Sequence, residues 1–272
     1  MAKRRSPRGS ALMIYAAAYL TFLYLPVLFL PLFSFNDSLF VAFPLSGFTT
    51  RWYTQMFEDE AMHRALWNTL RVGAVAALAS TALALPAAKA LTLHRMRGGS
   101  LLIGFANTPL FIPEIVLGIS LLILITAAEI PLSLVSVTIG HIVFCIPFAL
   151  AVLMSRFEGF DRSLEEASLD LGESDWMTFW RVTFPIVLPG IVASLLLTFL
   201  VSFDDFMVAF FLCGTDTTLP VFIWGELRFP FKLPGVLALG AAILIGSCLL
   251  VAFAEWVRRI GAPSGTQPFG HA

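Results

Sequence analysis

The 272 residues are 58% hydrophobic and only 13% charged, whereas a soluble domain carries about 25% charged residues. So much apolar surface needs lipid to cover it. A net charge of −1 leaves no basic face to neutralise phosphates, which excludes nucleic acid as a partner. Cys145, Cys213 and Cys248 stand singly in apolar runs without a C-x-x-C pair, so they read as small packing residues and not as a disulfide framework or zinc site.

Residues 1–10 carry Lys3, Arg4, Arg5 and Arg8 ahead of an apolar run from Ala11 to Phe33. That run exceeds the roughly 7 to 15 apolar residues of a signal peptide, and no small-x-small cleavage site follows it before Asn36, so it is expected to be a retained first span. Residues 34–65 form an outer loop. Further stretches of about 20 mostly apolar residues lie at Leu66–Leu91, Leu101–Ala128, Leu134–Met154, Ile186–Leu212 and Gly235–Val257. The expected fold is therefore an all-α integral membrane protein with six transmembrane helices, of which residues 66–258 hold the last five, followed by a tail at 259–272.

Six crossings put both termini on one side. Lys3, Arg4, Arg5, Arg8, Lys89, Arg95, Arg97, Arg156, Arg162, Arg181, Arg258 and Arg259 fall on that side, 12 of the 17 basic residues. The termini are thus expected in the cytoplasm. Prolines inside the spans (Pro26, Pro31, Pro86, Pro109, Pro113, Pro147) predict kinks or breaks, which a bundle tolerates where neighbours re-satisfy the freed backbone. No internal repeat is visible, in particular no matched pair of broken helices of the kind many secondary transporters show.

Between spans four and five, residues 155–185 hold ten of the chain's 35 charged residues, too many to lie in lipid. Phe160, Leu164, Ala167 and Leu171 recur at spacings of four, three and four, the stripe of an amphipathic helix. Ser163 with Glu166 fits a capping box at its start. Gly172 suits the left-handed position that ends it, and Ser174 can cap a second short helix running from Asp175 towards Pro185.

At these residues the chain resembles the permeases of binding-protein-dependent ABC importers. Their EAA motif reads E-A-A, three residues, G, nine residues, I-x-L-P. Here it is Glu166, Ala167, Ser168, Gly172, Val182, Thr183, Phe184 and Pro185, with serine in place of the second alanine and Val182 and Phe184 in place of Ile and Leu. The resemblance implies a MetI-like fold whose cytoplasmic loop forms coupling helices that dock on an ATPase subunit, with Glu165, Glu166, Ala167, Gly172 and Pro185 as the docking residues. Read without it, Glu166 caps its own helix and Gly172 ends one. No G-x-x-x-x-G-K-[ST] loop occurs, so ATP and Mg are used by a separate ATPase chain and this chain binds no cofactor. No metal-ligand cluster or nucleophile motif is present, so the chain is not expected to be an enzyme.

Three acids fall within spans: Glu114, Asp204 and Asp205. Acids in lipid are costly and usually functional. At about 1.5 Å of rise per residue, Asp204 lies roughly 27 Å and Glu114 roughly 20 Å from the cytoplasmic ends of their spans, in the outer half of a core about 30 Å thick. No basic residue lies at that depth in spans three to six, so no internal salt bridge is evident there. An acidic patch facing the outside attracts and orients a cation. The alternative is that Asp204 or Asp205, with Ser202, caps a broken helix half, while Glu114 stays protonated beside Pro113. Trp224 and other outer aromatics offer cation-binding faces or form the interfacial belt. His141 reads equally as a packed histidine or a pathway residue.

Within that family the chain is most similar to the spermidine/putrescine permeases of the second (PotC/PotI-like) type. The supporting stretches are Phe48–Tyr53, Pro113–Ser120, His141–Cys145, Asp161–Gly172, Ser202–Asp205 and Thr217–Pro220. This implies a bacterial inner-membrane subunit importing a polyamine delivered by a periplasmic binding protein, paired as a heterodimer with a second permease subunit and two ATPase subunits. Gly235 and Leu237 depart from the pattern, where polyamine permeases tend to carry an acid and an asparagine, so an opine-like or other small nitrogenous solute is the alternative cargo. A proton-coupled secondary transporter using Glu114, Asp204 and Asp205 as a relay is a further reading.

Overall fold

The computed structural model describes residues 7–93 and 98–261. In chain order the helices are α1 (Pro7–Ser34), α2 (Arg51–Glu58), α3 (Glu60–Leu93), α4 (Gly99–Ala106), α5 (Thr108–Phe111), α6 (Glu114–Ala127), α7 (Leu134–Glu158), α8 (Ser163–Asp170), α9 (Asp175–Thr178), α10 (Phe184–Asp204), α11 (Met207–Leu212), α12 (Leu219–Glu226) and α13 (Leu233–Gly261). A π turn occupies Phe179–Thr183 and a 3₁₀ turn Pro230–Lys232. Apart from an isolated bridge between Asn36 and Phe48, the described residues hold only helices and loops, in line with the expected all-α class. Lys3, Arg4, Arg5, Arg95 and Arg97, used above for orientation, lie outside the described residues.

Among the described residues five helical stretches are long and apolar enough to cross a membrane: Leu12–Ser34, Glu60–Leu93, Leu134–Glu158, Asp175–Asp204 and Pro230–Leu249. The expected third span, Leu101–Ala128, is not one helix. Asn107 ends α4, and Ile112 turns to extended backbone ahead of Pro113, as a residue before proline prefers. The next helix, α6, has 14 residues, about 21 Å of helix against a core of about 30 Å. The expected fifth span is shifted as well. Its helix starts at Asp175, not Ile186, and stops at Asp204, where Asp205 leaves helical geometry before α11 begins.

The start of that helix corrects the reading of a separate second short helix. Pro185 lacks the N–H that would close an α-turn on Arg181. A π turn replaces that rung, with Phe184 N–H donating to Phe179 O, so the chain runs on into α10. Arg156 of α7 donates to the Ile186 carbonyl, a side-chain bond that ties α7 to the first turn of α10.

The chain divides into two compact units, Glu60–Trp224 and Met1–Asp59 with Gly225–Ala272. In the first, α3 packs on α7 and α10, α10 packs on α7, and α11 lies against α6 and α7. The buried face of α3 is a row of small residues, including Ala65, Thr69, Gly73, Ala76, Ser80, Ala84 and Ala88. Small residues let helices approach closely where lipid offers no hydrophobic drive to associate. Thr81 and Ser194 hydroxyls meet at 3.0 Å across α3 and α10. One apolar cluster gathers α6, α7 and α11 around Leu117, Leu121, Val137, Phe144, Val208 and Leu212, and a second joins α3, α7 and α10 around Ala88, Leu150, Leu153, Phe157 and Val187.

The short α11 is held by glycines. A Cβ at Gly118 would stand 2.6 Å from Phe211 and 3.2 Å from the Met207 carbonyl, and one at Gly140 2.5 Å from Leu212 and 2.8 Å from Val208. Gly118→Ala and Gly140→Ala are each expected to destabilise the folded protein by about 1–3 kcal/mol, the usual cost of overpacking. Thermal unfolding in detergent checks this, and unchanged unfolding temperatures would refute it.

In the second unit α13 packs on α1 and α2. Apolar side chains of α1 are widely exposed, with Leu12, Ile14, Tyr15 and Phe22 all at 70% or more, as a lipid-facing helix requires. The segment after α1 is tied down by Trp52 Nε1 donating to Asn36 O at 2.9 Å and by Ser46 N donating to Asn36 Oδ1 at 2.9 Å.

Candidate functional site

Two places in the Glu60–Trp224 unit collect the chemistry. The first is a cavity of about 500 Å³ at the break between α10 and α11, lined by Glu114, Asp204 and Asp205 together with Phe144, Phe148, Leu200, Val201, Phe206 and Met207. The three predicted acids therefore do converge. Each owes its place to a helix end. Glu114 is the first residue of α6, a position where the helix dipole favours an acid. Asp204 is the last residue of α10, and Asp205 turns the chain.

Asp205 is both cap and lining. Its Oδ2 accepts from Ala209 N at 3.0 Å, satisfying an orphan donor at the start of α11. The same oxygen lies 3.1 Å from His141 Nε2, off the line of a hydrogen bond, while Oδ1 is buried without a partner. His141 is buried, and its Nδ1 meets Ser202 Oγ at 2.6 Å. So the capping reading and the lining reading of Asp205 hold together, and an imidazole from α7 stands beside the carboxylate, a neighbour that a search for Lys and Arg at this depth does not find. His141 and Asp205 come from different helices, so only their contact reveals the pair. Ser202 in the last turn of α10 and Asp205 just past its end both reach His141, one at Nδ1 and the other at Nε2.

Trp224 does not line the cavity. It packs on Phe206, with ring centroids 5.4 Å apart, and so backs the cavity wall.

The second place is the loop after α7. Leu171 N–H donates to Ala167 O, Gly172 N–H to Leu169 O and Glu173 N–H to Ser168 O, with Gly172 at φ +90. This is a Schellman end, and the predicted glycine bend is there. Ser174 caps α9 as expected, accepting from Met177 N. The capping box at Ser163 and Glu166 is not formed. Arg162 is the N-cap residue and Asp161 Oδ1 accepts from Ser163 N at 3.0 Å instead, because Ser163 already lies inside the first turn. Hydrogen bonds from the Ser163 hydroxyl and N–H hold the Asp161 carboxyl below its ordinary range.

The apolar stripe of α8 faces outward. Phe160 is buried, but Leu164 and Leu171 are exposed, Leu171 at 87%, and Ala167 and Glu166 are exposed beside them. The face turned to the rest of the unit is polar. Glu165 Oε1 lies 2.7 Å from Lys89 Nζ of α3 and accepts from the Thr183 hydroxyl, and Ser168 meets Thr178 at 2.9 Å. Burial pushes the Glu165 carboxyl up, but hydrogen bonds from Lys89 and Thr183 and the charges of Lys89 and Arg162 outweigh it and hold it below its ordinary range. Its stabilising contribution is therefore present above the ordinary value and lost as pH falls through the lowered one. Lys89 and Thr183 are contacts of this loop that pattern reading passed over. The available signal was a lone cation inside the apolar run 82–91. Pro185 sits exposed in the first turn of α10, away from the α8 stripe in sequence.

Among the described residues no group of three or more His, Cys, Asp or Glu side chains is arranged to hold a metal.

The family model of "Binding-protein-dependent transport system inner membrane component" matches residues 80–260. The putrescine transport system permease protein PotI of Escherichia coli K12 is 35% identical over 247 residues, covering 87% of this chain and 86% of its own length. The spermidine/putrescine transport system permease protein PotC of the same organism is 31% identical over 246 residues, covering 90% and 92%. Among solved structures, a bacterial ABC transporter involved in the import of the acidic polysaccharide alginate superposes with a TM-score of 0.69 at 16% identity over 96% of this chain and 100% of that one. The MetNI methionine ABC transporter in inward-facing form gives 0.60 at 18% identity over 77% and 99%. At such identities the two structures speak for the fold alone, while the family model and the two permeases carry the assignment. The chain belongs to the family of binding-protein-dependent transport system inner membrane components, and is a multi-pass permease of an ABC importer and not an enzyme.

Proposed function

We propose that this permease passes a polyamine, or a small cationic amine like it, from a periplasmic binding protein to the cytoplasm. The observation that carries this reading is the cavity at the α10–α11 break, where Glu114, Asp204 and Asp205 share the lining with the aromatic rings of Phe144, Phe148 and Phe206. Carboxylates bind ammonium groups by charge-assisted hydrogen bonds, and aromatic faces suit the cationic and methylene parts of the same molecule. Relatives named as putrescine and spermidine/putrescine permeases support the same cargo.

In this reading α4 to α6 together make one crossing, so the chain crosses six times with both termini in the cytoplasm. The loop from α8 to α9 is the coupling element, its exposed Glu166, Ala167 and Gly172 docking on one of two ATPase subunits while a second, different permease completes the pore. ATP and Mg act in those partners. The test is uptake into proteoliposomes holding this chain, the second permease and the ATPases, with the binding protein outside. ATP-dependent uptake of labelled putrescine or spermidine, competed by amines and not by neutral or anionic solutes, is expected. Uptake of an anionic or neutral solute with no amine uptake would overturn the cargo.

A further inference from the structure

Glu165 and Lys89 have no place in the cavity and none on the exposed stripe of α8, yet they form the best-buried ion pair of the cytoplasmic end. We propose that the Lys89–Glu165–Thr183 contact is the link that carries motion of the coupling loop into the helix bundle, with Glu165 as a positioning residue for transport. The proposal rests on the reading of α8 as the docking element.

The geometry is that of a two-faced lever. The outer face of α8 presents Leu164, Ala167 and Leu171 to solvent, and the inner face is pinned at two points one turn apart, Glu165 on Thr183 and Ser168 on Thr178. Both threonines are buried, Thr178 just before the π turn at the head of α10 and Thr183 as its last residue. The third pin reaches another helix: Lys89 Nζ is 2.7 Å from Glu165 Oε1, 5.5 Å from the Phe179 ring, and belongs to α3. The Lys89 and Glu165 side chains are only 23% and 16% exposed, against 64% and 34% for the nearby Arg181–Glu173 pair. The better-buried pair is the less screened by water and salt.

Helices α3 and α10 pack on α7 and on each other, and α7 and α10 supply Phe144, Phe148, Leu200, Val201 and Asp204 to the cavity. Displacing α8 thus pulls α10 through the hydroxyls and α3 through the ion pair. Without Glu165, α8 keeps its outer face but loses its grip on both. A π turn at the point of attachment is where a helix can change its winding without breaking.

The test uses the assembled importer with the three native cysteines replaced. Glu165→Gln and the pair Lys89→Cys with Glu165→Cys are expected to keep membrane level, co-purification with the ATPases and basal ATP hydrolysis, while uptake falls about tenfold, the scale on which coupling residues act. Joining the two introduced thiols with a short bifunctional reagent is expected to return uptake to within about threefold of the parent. Wild-type uptake in the uncrosslinked variants would overturn the proposal, as would loss of assembly together with uptake, which would make the pair merely structural. No recovery after complete crosslinking would overturn it too. A separate crosslink from Leu171→Cys to the ATPase reports on docking itself: its absence overturns the docking reading, and its presence with unimpaired uptake in Glu165→Gln overturns only the link.

Discussion

Gly172→Trp is expected to leave the protein folded in the membrane and to abolish ATP-driven uptake. Gly172 holds φ +90 at the Schellman end of α8, a conformation that costs an L-residue about 1–2 kcal/mol. That is small beside a typical folding stability of about 5–15 kcal/mol. No atom lies within 4 Å of where its Cβ would stand, so a side chain there starts into open space from the loop beside Leu171, where the ATPase is proposed to sit. Gly172→Ala separates strain from bulk, since it carries the same backbone penalty without the ring. If docking governs the effect, the alanine variant retains most uptake and binds the ATPases. Equal loss in both variants would make the bend itself the cause, and normal uptake by the tryptophan variant would remove the loop from coupling.

Replacing Asp204 and Asp205 together by asparagine is expected to lower kcat/KM for a cationic substrate by roughly 100-fold or more, since a hydrogen bond to a charged group is worth about 1.5–3 kcal/mol and each factor of ten about 1.4 kcal/mol. Assembly with the ATPases should survive, because an asparagine Oδ1 at position 205 can still accept from Ala209 N–H. The single variants divide the effect. Asp204 has no protein partner to lose among the described residues and acts on the cavity alone, whereas Asp205 also faces His141, so Asp205→Asn is expected to lower thermal stability as well as uptake. Uptake kinetics of putrescine and an uncharged analogue in the reconstituted importer measure this. Unchanged kinetics in the double variant would take the acids off the path.

The parts of this protein legible from its residues are those whose cause is local. An apolar run long enough to cross lipid forms a helix wherever its neighbours lie, so α1, α3, α7 and α13 were readable within a few residues at most ends. Gly172 and Ser174 were readable for the same reason, because a left-handed bend and a hydroxyl cap depend on a handful of adjacent atoms. Local reading failed where two local signals competed. Ser163 has the composition of a cap, but Asp161 two residues earlier is the better-placed acceptor. Pro113 and Asn107 broke a run that hydropathy alone joined into one span. The apolar stripe of α8 was recognised while its direction was not, because periodicity defines a face and not what lies opposite it.

By itself, the amino-acid sequence determined that this chain lives in a membrane, that its one strongly polar segment bends at a glycine, and that three acids sit where lipid makes acids costly. The tertiary structure alone decided that those acids meet in one cavity, that His141 stands against Asp205, and that Glu165 turns inward to Lys89 while Glu166 turns out. The division follows from range. Transfer to lipid and turn geometry are summed over neighbouring residues, whereas the meeting of His141 with Asp205 or of Lys89 with Glu165 depends on how each helix is rotated about its axis, which the small residues of α3 and the glycines under α11 settle only when the bundle packs.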